Sequence, residues 1–183
     1  MIHEDTAMKK TIPDTLTVIH NRKSVRHFTG ESVPPEQIDL LLKAAMSAPS
    51  AVNGQPWEFI VVTDRNTLNR LGDVLPYAKM IYKAGVAIVV CGVPARAHNQ
   101  FTEYAVIDST LASQNILLAA EAIGLGAVWT AAYPYPERMD SVRPILNIPQ
   151  EVIPLNIIPI GYPTGEDAHQ EKFSPEKIHR EKW

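Results

Sequence analysis

The chain has almost no cysteine: Cys91 stands alone among 183 residues. A single thiol excludes an internal disulfide framework. Its place in the run Val86-Ala-Ile-Val-Val-Cys-Gly92 is that of a small buried apolar group rather than a reactive one. Long apolar runs are missing too, since none approaches the ~20 residues of a membrane span. The opening Met1-Ile-His-Glu-Asp5 carries neither the basic flank nor the apolar segment of a secretion signal. Together these absences lead to the expectation of a cytoplasmic, reduced setting. There is no excess of positive charge: a formal net charge of −3 gives no general attraction to nucleic acid or anionic lipid. Any bound anion has to be met by a local basic cluster.

Obvious reaction chemistry is also scarce. The six histidines, at 3, 20, 27, 98, 169 and 179, include no i,i+4 pair and no Cys/His constellation, so no metal site is expected. Ser50 has no Gly-x-Ser-x-Gly setting for nucleophilic attack. The acidic pairs Asp64/Asp73 and Glu166/Asp167 read as caps and solvated loops. With no evident acid, base or nucleophile, an enzyme of this sequence would leave its chemistry to a bound cofactor.

Proline is the residue in surplus. Fifteen prolines exceed the usual share of about 5%, but they are spread along the chain and mark no linker. The length suits one domain, residues 1–183, with a loose polar leader over 1–12. Two prolines frame the stretch around which the rest is organised, Ala48-Pro-Ser-Ala-Val-Asn-Gly-Gln-Pro-Trp-Glu-Phe59. Pro49 and Pro56 bias Ala48 and Gln55 away from helical dihedrals, which holds a polar loop open between a helical pattern and a strand pattern. Ser50, Asn53 and Gln55 there bring hydroxyl and carboxamide groups that both donate and accept, suited to a flat, uncharged, heteroatom-rich ring. Gly54 permits close approach of the backbone. A well-capped helix-to-strand turn would use the same residues.

Periodicity orders the remainder. Asp14 caps a first helix carrying Leu16 and Ile19 inward. Pro34-Pro35 open a second, with Ile38, Leu41, Leu42 and Ala45 at helical spacing. A strand spans 57–62, and a helix capped by Asp64 begins at Arg65. Pro76 opens a short helix through Tyr82. Residues 86–93, continuously apolar, form a strand covered on both faces. The longest helical pattern, about 101–123, is apolar over most of its circumference and rich in alanine, so it is expected to be central and closely approached by another helix. A strand follows over 127–132, then a helix over 137–146 interrupted or ended by Pro144. Pro154 and Pro159 push the strand 152–160 toward a sheet edge or a bulge. The order of elements indicates an α/β or α+β sheet with helices packed on it.

Arg22, Lys23 and Arg26, with Ser24 among them, form the best anion site. Arg22 and Arg26 share a face if the first helix continues through them, and a guanidinium fork matches a phosphate. The same cations would suit a solvated helix C-terminus. Gly124-x-Gly126 is not a dinucleotide fingerprint, because it closes a helix and opens a strand, the reverse of the required order; Gly124 reads as a helix C-cap.

Three segments in order resemble the FMN-dependent nitroreductase family: Asn21-Arg-Lys-Ser-Val-Arg-His-Phe28, Ala48-Pro-Ser-Ala-Val-Asn-Gly-Gln-Pro-Trp57, and Ala112-Ser-Gln-Asn-Ile-Leu-Leu-Ala-Ala120 followed by Gly124-Leu-Gly-Ala-Val-Trp129. The resemblance covers about residues 16–183. It implies an α+β fold, a central, mostly antiparallel sheet flanked by helices, in an intertwined homodimer with FMN at the interface. By the same resemblance Arg22, Lys23, Ser24 and Arg26 hold the phosphate or ring edge, with Lys172 as a further phosphate ligand. Trp129, Thr130 and Ala131 lie along the flavin. Pro49, Ser50, Ala51 and Asn53 come from the partner chain, with Gln55 on the same loop; Ala51 stands where the family more often has a second serine. The tail, about 168–183, packs on the partner. The implied activity is hydride transfer from NADH or NADPH through FMN to a nitroaromatic, quinone or similar small acceptor. A specialised flavoenzyme of the same fold, for reductive dehalogenation or flavin breakdown, and a non-catalytic FMN-binding or storage protein are the alternatives.

Overall fold

The computed structural model describes residues 14–183; the expected leader over 1–12 lies outside them. Helix α1 (Thr15–Asn21) starts at Asp14, whose carboxylate accepts the backbone N–H groups of Leu16 and Thr17 at 3.1 Å each. It buries Val18. Leu16 and Ile19, expected to face inward, are 66% and 46% exposed, because a helix of about two turns presents only one position to its neighbour. Helix α2 (Pro35–Met46) starts at the proline pair and buries Ile38, Leu41 and Ala45. Asp64 caps α3 (Arg65–Val74) by accepting the Thr67 N–H at 2.8 Å. The expected helix from Pro76 is instead a 3-10 turn, Lys79–Lys83.

The sheet has five strands, β1 (Trp57–Val62), β2 (Val86–Gly92), β3 (Gly126–Ala127), β4 (Thr130–Ala131) and β5 (Ile153–Gly161). They lie in the order β1-β2-β5-β3, with β4 also on β5, and every pairing is antiparallel. One strand expectation is corrected, and the other, an edge or a bulge, is met by the bulge. The strand expected over 127–132 is split at Val128-Trp129 into β3 and β4. β5 is central rather than at an edge, although it does carry a bulge, Leu155 being unmatched between Pro154 opposite Cys91 and Asn156 opposite Val90. Pro159 is tolerated in mid-sheet because of the side its backbone faces. Its carbonyl accepts from Val128 N at 3.3 Å, so its missing N–H points to that same side, toward the break between β3 and β4, and no bond to β2 is lost.

Helices cover both faces. Val86, Ile88 and Val90 of β2, with Ile158 and Ile160 of β5, pack against α2 and against α4 (Thr102–Ala122). The alternate residues Ala87, Val89 and Cys91, with Ile157, pack against α3 and α5 (Pro136–Leu146). All of β2 is buried, as its unbroken apolar run requires. Helix α5 continues through Pro144 and ends at Asn147, at φ 54°. Pro144 lies in the last turn, where it removes a single internal bond.

Helix α4 is only half central. Its buried side carries small and polar residues, Ala105, Asp108, Ser109, Ala112 and Ser113, over its first half and the apolar Ile116, Leu117 and Ala120 after them. Ile107 and Leu111 on the outer side are 54% and 39% exposed. No helix among the described residues is long and apolar enough to cross a membrane.

Candidate functional site

The basic segment departs from its expected conformation. Helix α1 stops at Asn21, and Arg22 already has ψ 126°, so Arg22 and Arg26 do not share a helical face. The chain runs extended instead and docks beside β3, where Val25 N donates to Ala127 O at 3.0 Å and Ser24 pairs with Ala127 in a parallel bridge. Val25 is buried at 1% exposure. Alternation along extended backbone then places Ser24 and Arg26 on the opposite side from Val25.

That side forms a cavity of about 130 Å³ lined by Arg22, Lys23, Ser24, Arg26, Ala168, Gln170 and Lys172. Four cations and a hydroxyl converge on it, drawn from both ends of the chain, and no carboxylate lines it. Such a donor set fits a phosphate.

Arg26 also lines a second cavity of about 210 Å³, with Val128, Trp129, Thr130, Ala131, Pro76, Tyr77, Met80 and Arg138. The break between β3 and β4 positions this wall. Thr130 is held by its hydroxyl, which donates to Ile157 O at 2.5 Å, while Trp129 stays half-buried. Arg26 thus lines both cavities, the first otherwise walled by cations and small polar groups, the second by Tyr77, Trp129, apolar groups and Arg138.

The loop after α2 lines neither cavity. It makes a 3-10 turn, Ala51–Asn53, and places Val52, Asn53 and Gln55 at φ 49°, 56° and 47°. Gln55 thus avoids right-handed helical dihedrals, as expected before a proline, by taking the left-handed region. Left-handed backbone is uncommon for such residues, and here it is held by several bonds. Gln55 N donates to Ser50 Oγ and Gln55 Nε2 to Asn53 Oδ1, both at 3.0 Å, and Ala51 N donates to Asp108 Oδ2 at 3.2 Å. Ser50 and Asn53 serve as acceptors in these contacts, which leaves the hydroxyl proton and the carboxamide NH2 as donors. The close approach expected at Gly54 is present: a Cβ there would lie 2.8 Å from Arg96 O. Pro49 is exposed beside this turn.

Sequence reasoning missed Gln170, Arg138, Tyr77 and Met80, none of which carries a local motif. It also misjudged Asp167. This carboxylate is not in a solvated loop, its side chain being 11% exposed. Burial pushes its pKa up, but hydrogen bonds from Arg26 N, His27 N and the His27 imidazole outweigh that and hold it below the ordinary 3.8. Cys91 behaves as expected: burial pushes its thiol up to about 12.

The Nitroreductase family model matches residues 19–76 and 73–162. A protein of Methanothermobacter thermautotrophicus, named as a candidate NADH dehydrogenase/NAD(P)H nitroreductase, is 43% identical over 182 residues, covering 100% of this chain and 93% of that one. A crystal structure under the same name from Bacteroides thetaiotaomicron superposes with a TM-score of 0.88 at 47% identity, covering 94% of this chain and 100% of that one. An FMN-dependent nitroreductase from Clostridium difficile gives a TM-score of 0.84 at 26% identity, covering 92% and 99%.

Proposed function

The chain belongs to the nitroreductase family, and on that premise we propose that it passes a hydride from NADH or NADPH, through FMN, to a nitroaromatic, quinone or similar small acceptor. It is an NAD(P)H-dependent oxidoreductase with FMN as its cofactor. The observation that carries the proposal is that Arg26 lines both the cation cavity and the Trp129 cavity. FMN has the same two-part chemistry, a dianionic phosphate and a flat ring, and when bound it supplies reversible hydride acceptance.

Arg22, Lys23, Ser24, Arg26 and Lys172 would hold the phosphate. Each cation at ~4 Å from it contributes roughly 4 kcal/mol at an effective dielectric constant near 20, before desolvation. Trp129, Thr130 and Ala131 would lie along the ring. The protein's share is orientation and fixed charge, in keeping with the lack of an acid or base in the sequence.

The loop residues Pro49, Ser50, Ala51, Asn53 and Gln55 would reach the ring from a second copy of the chain. Two features support such a homodimer. Helix α4 leaves Ile107 and Leu111 exposed, and a groove of about 340 Å³ runs between α1, α2 and α4, lined by Val18, Ile19, Leu118, Ala119 and Ala122 among others. Phe173, Ile178 and Trp183 of the tail, 73%, 51% and 100% exposed, would also be covered by the partner.

The test is a visible spectrum of the purified protein with NADH or NADPH added anaerobically. A flavin band that bleaches with either supports the proposal and identifies the reductant. A colourless protein that also fails to take up FMN overturns it.

A further inference from the structure

We propose that Asp167 is a positioning residue for the anion cavity, a clamp that keeps its two halves converged and so sets its preference for a phosphate-bearing ligand. The inference rests on reading that cavity as the FMN phosphate site.

The cavity is built from two segments far apart in sequence, 22–26 and 168–172. Asp167 immediately precedes the second segment and reaches the first. Its Oδ2 accepts the backbone N–H groups of Arg26 at 2.9 Å and His27 at 3.0 Å, and its Oδ1 lies 3.2 Å from His27 Nδ1. Other ties between the two stretches of chain join residues 27–29 to 162–164, none of which lines the cavity. Thr164 N donates to His27 O, Phe28 bridges to Pro163, and Thr29 N donates to Tyr162 O. Of these contacts, only those of Asp167 reach Arg26, the residue shared by both cavities.

A carboxylate this close to a phosphate site would ordinarily repel the ligand. Here its lone pairs are taken by two amides and an imidazole, in charge-assisted bonds roughly twice as strong as neutral ones. The negative charge is thus spent on holding backbone. The Arg26 amide is spent as well, which leaves its guanidinium as the group that meets the ligand. Loss of the carboxylate frees Arg26 from the 168–172 segment, and the cations spread apart.

The experiment compares the affinities of FMN and riboflavin, which share the ring and differ by the phosphate, in the wild-type protein, Asp167→Ala and Asp167→Asn, by calorimetry and flavin fluorescence. Thermal melts establish that each variant is folded. The alanine variant is expected to lose about tenfold or more in FMN affinity, worth ~1.4 kcal/mol, with riboflavin affinity changed far less. The asparagine variant, keeping an acceptor without the charge, falls between. An unchanged FMN-to-riboflavin ratio in the folded variants overturns the clamp, as does an equal loss for both ligands. A second measurement needs no variant: the Arg26 and His27 amides of the wild-type protein should be protected from hydrogen exchange, and unprotected rates overturn the clamp as well. A wild-type protein that binds neither flavin overturns the FMN reading first, and the clamp with it.

Discussion

Val25 rests against Gly126 so closely that a Cβ on the glycine would come within 2.5 Å of Val25 Cγ1. This contact seats the basic segment on the sheet, because Val25 is the buried residue between Ser24 and Arg26, and Gly126 leaves the space it occupies. Gly126→Ala is therefore expected to destabilise the fold by about 1–3 kcal/mol, the usual cost of overpacking, and to weaken FMN binding as Ser24 and Arg26 are pushed outward. Urea unfolding and FMN titration of the variant check both effects. An unchanged unfolding midpoint would refute the packing account.

In the proposed homodimer, helix α4 would tie cofactor binding to assembly. Ile107→Asp combined with Leu111→Asp places two charges on the outer, exposed face of the helix, and leaves the sheet-facing core untouched. The expected result is a monomer by sedimentation that has lost most of its FMN, since residues 49–55 of a single chain line neither cavity. A monomer that keeps full FMN affinity would show that one chain suffices.

Asp167 gives stability a defined acid dependence. Its folded pKa lies below 3.8, so the native state binds the proton less readily than the unfolded chain. The stabilisation is complete above the unfolded value and is lost as pH falls through the lower folded one. In urea titrations, the gap between wild-type protein and Asp167→Asn should be constant from neutrality down to about pH 5 and should close below 3.8. A gap that widens in acid would contradict the assigned direction.

Cys91 is expected to be silent in the native protein. Its thiol is 1% exposed and is pushed up to about 12 by burial, so almost no thiolate forms at pH 8. A disulfide reagent should label it only at the rate of unfolding, and in denaturant at once. Rapid labelling of the folded protein would place the residue outside the core.

Flavin should also act as a stabilising ligand. At a free FMN concentration about 100 times its dissociation constant, the folded state gains roughly 2.7 kcal/mol. Differential scanning fluorimetry with and without FMN should show the melting temperature rising with the logarithm of ligand concentration. No shift with FMN, in a protein that binds it by calorimetry, would mean that the unfolded chain binds it equally.

The parts readable from the sequence were those decided locally. Caps at Asp14 and Asp64, the proline start of α2, the bounds of β1 and the two-faced burial of β2 follow from capping, fixed φ and apolar patterning. The cations at 22–26 stood out by type as a candidate anion site and the residues at 129–131 by the family resemblance, and each group lines a cavity in the structure.

What tertiary structure decided was which of them meet, and how. The first helix ends before the basic cluster, and docking of Val25 against Gly126 imposes an extended backbone there that local propensity does not prescribe. The central place of β5 depends on which side Pro159 turns its missing N–H, a matter of strand partners rather than composition. Asp167 looked like a solvated acid because its partners, the amides of Arg26 and His27, lie about 140 residues away in the chain. Hydrogen bonds over such separations follow from the fold alone, and no local sequence pattern encodes them.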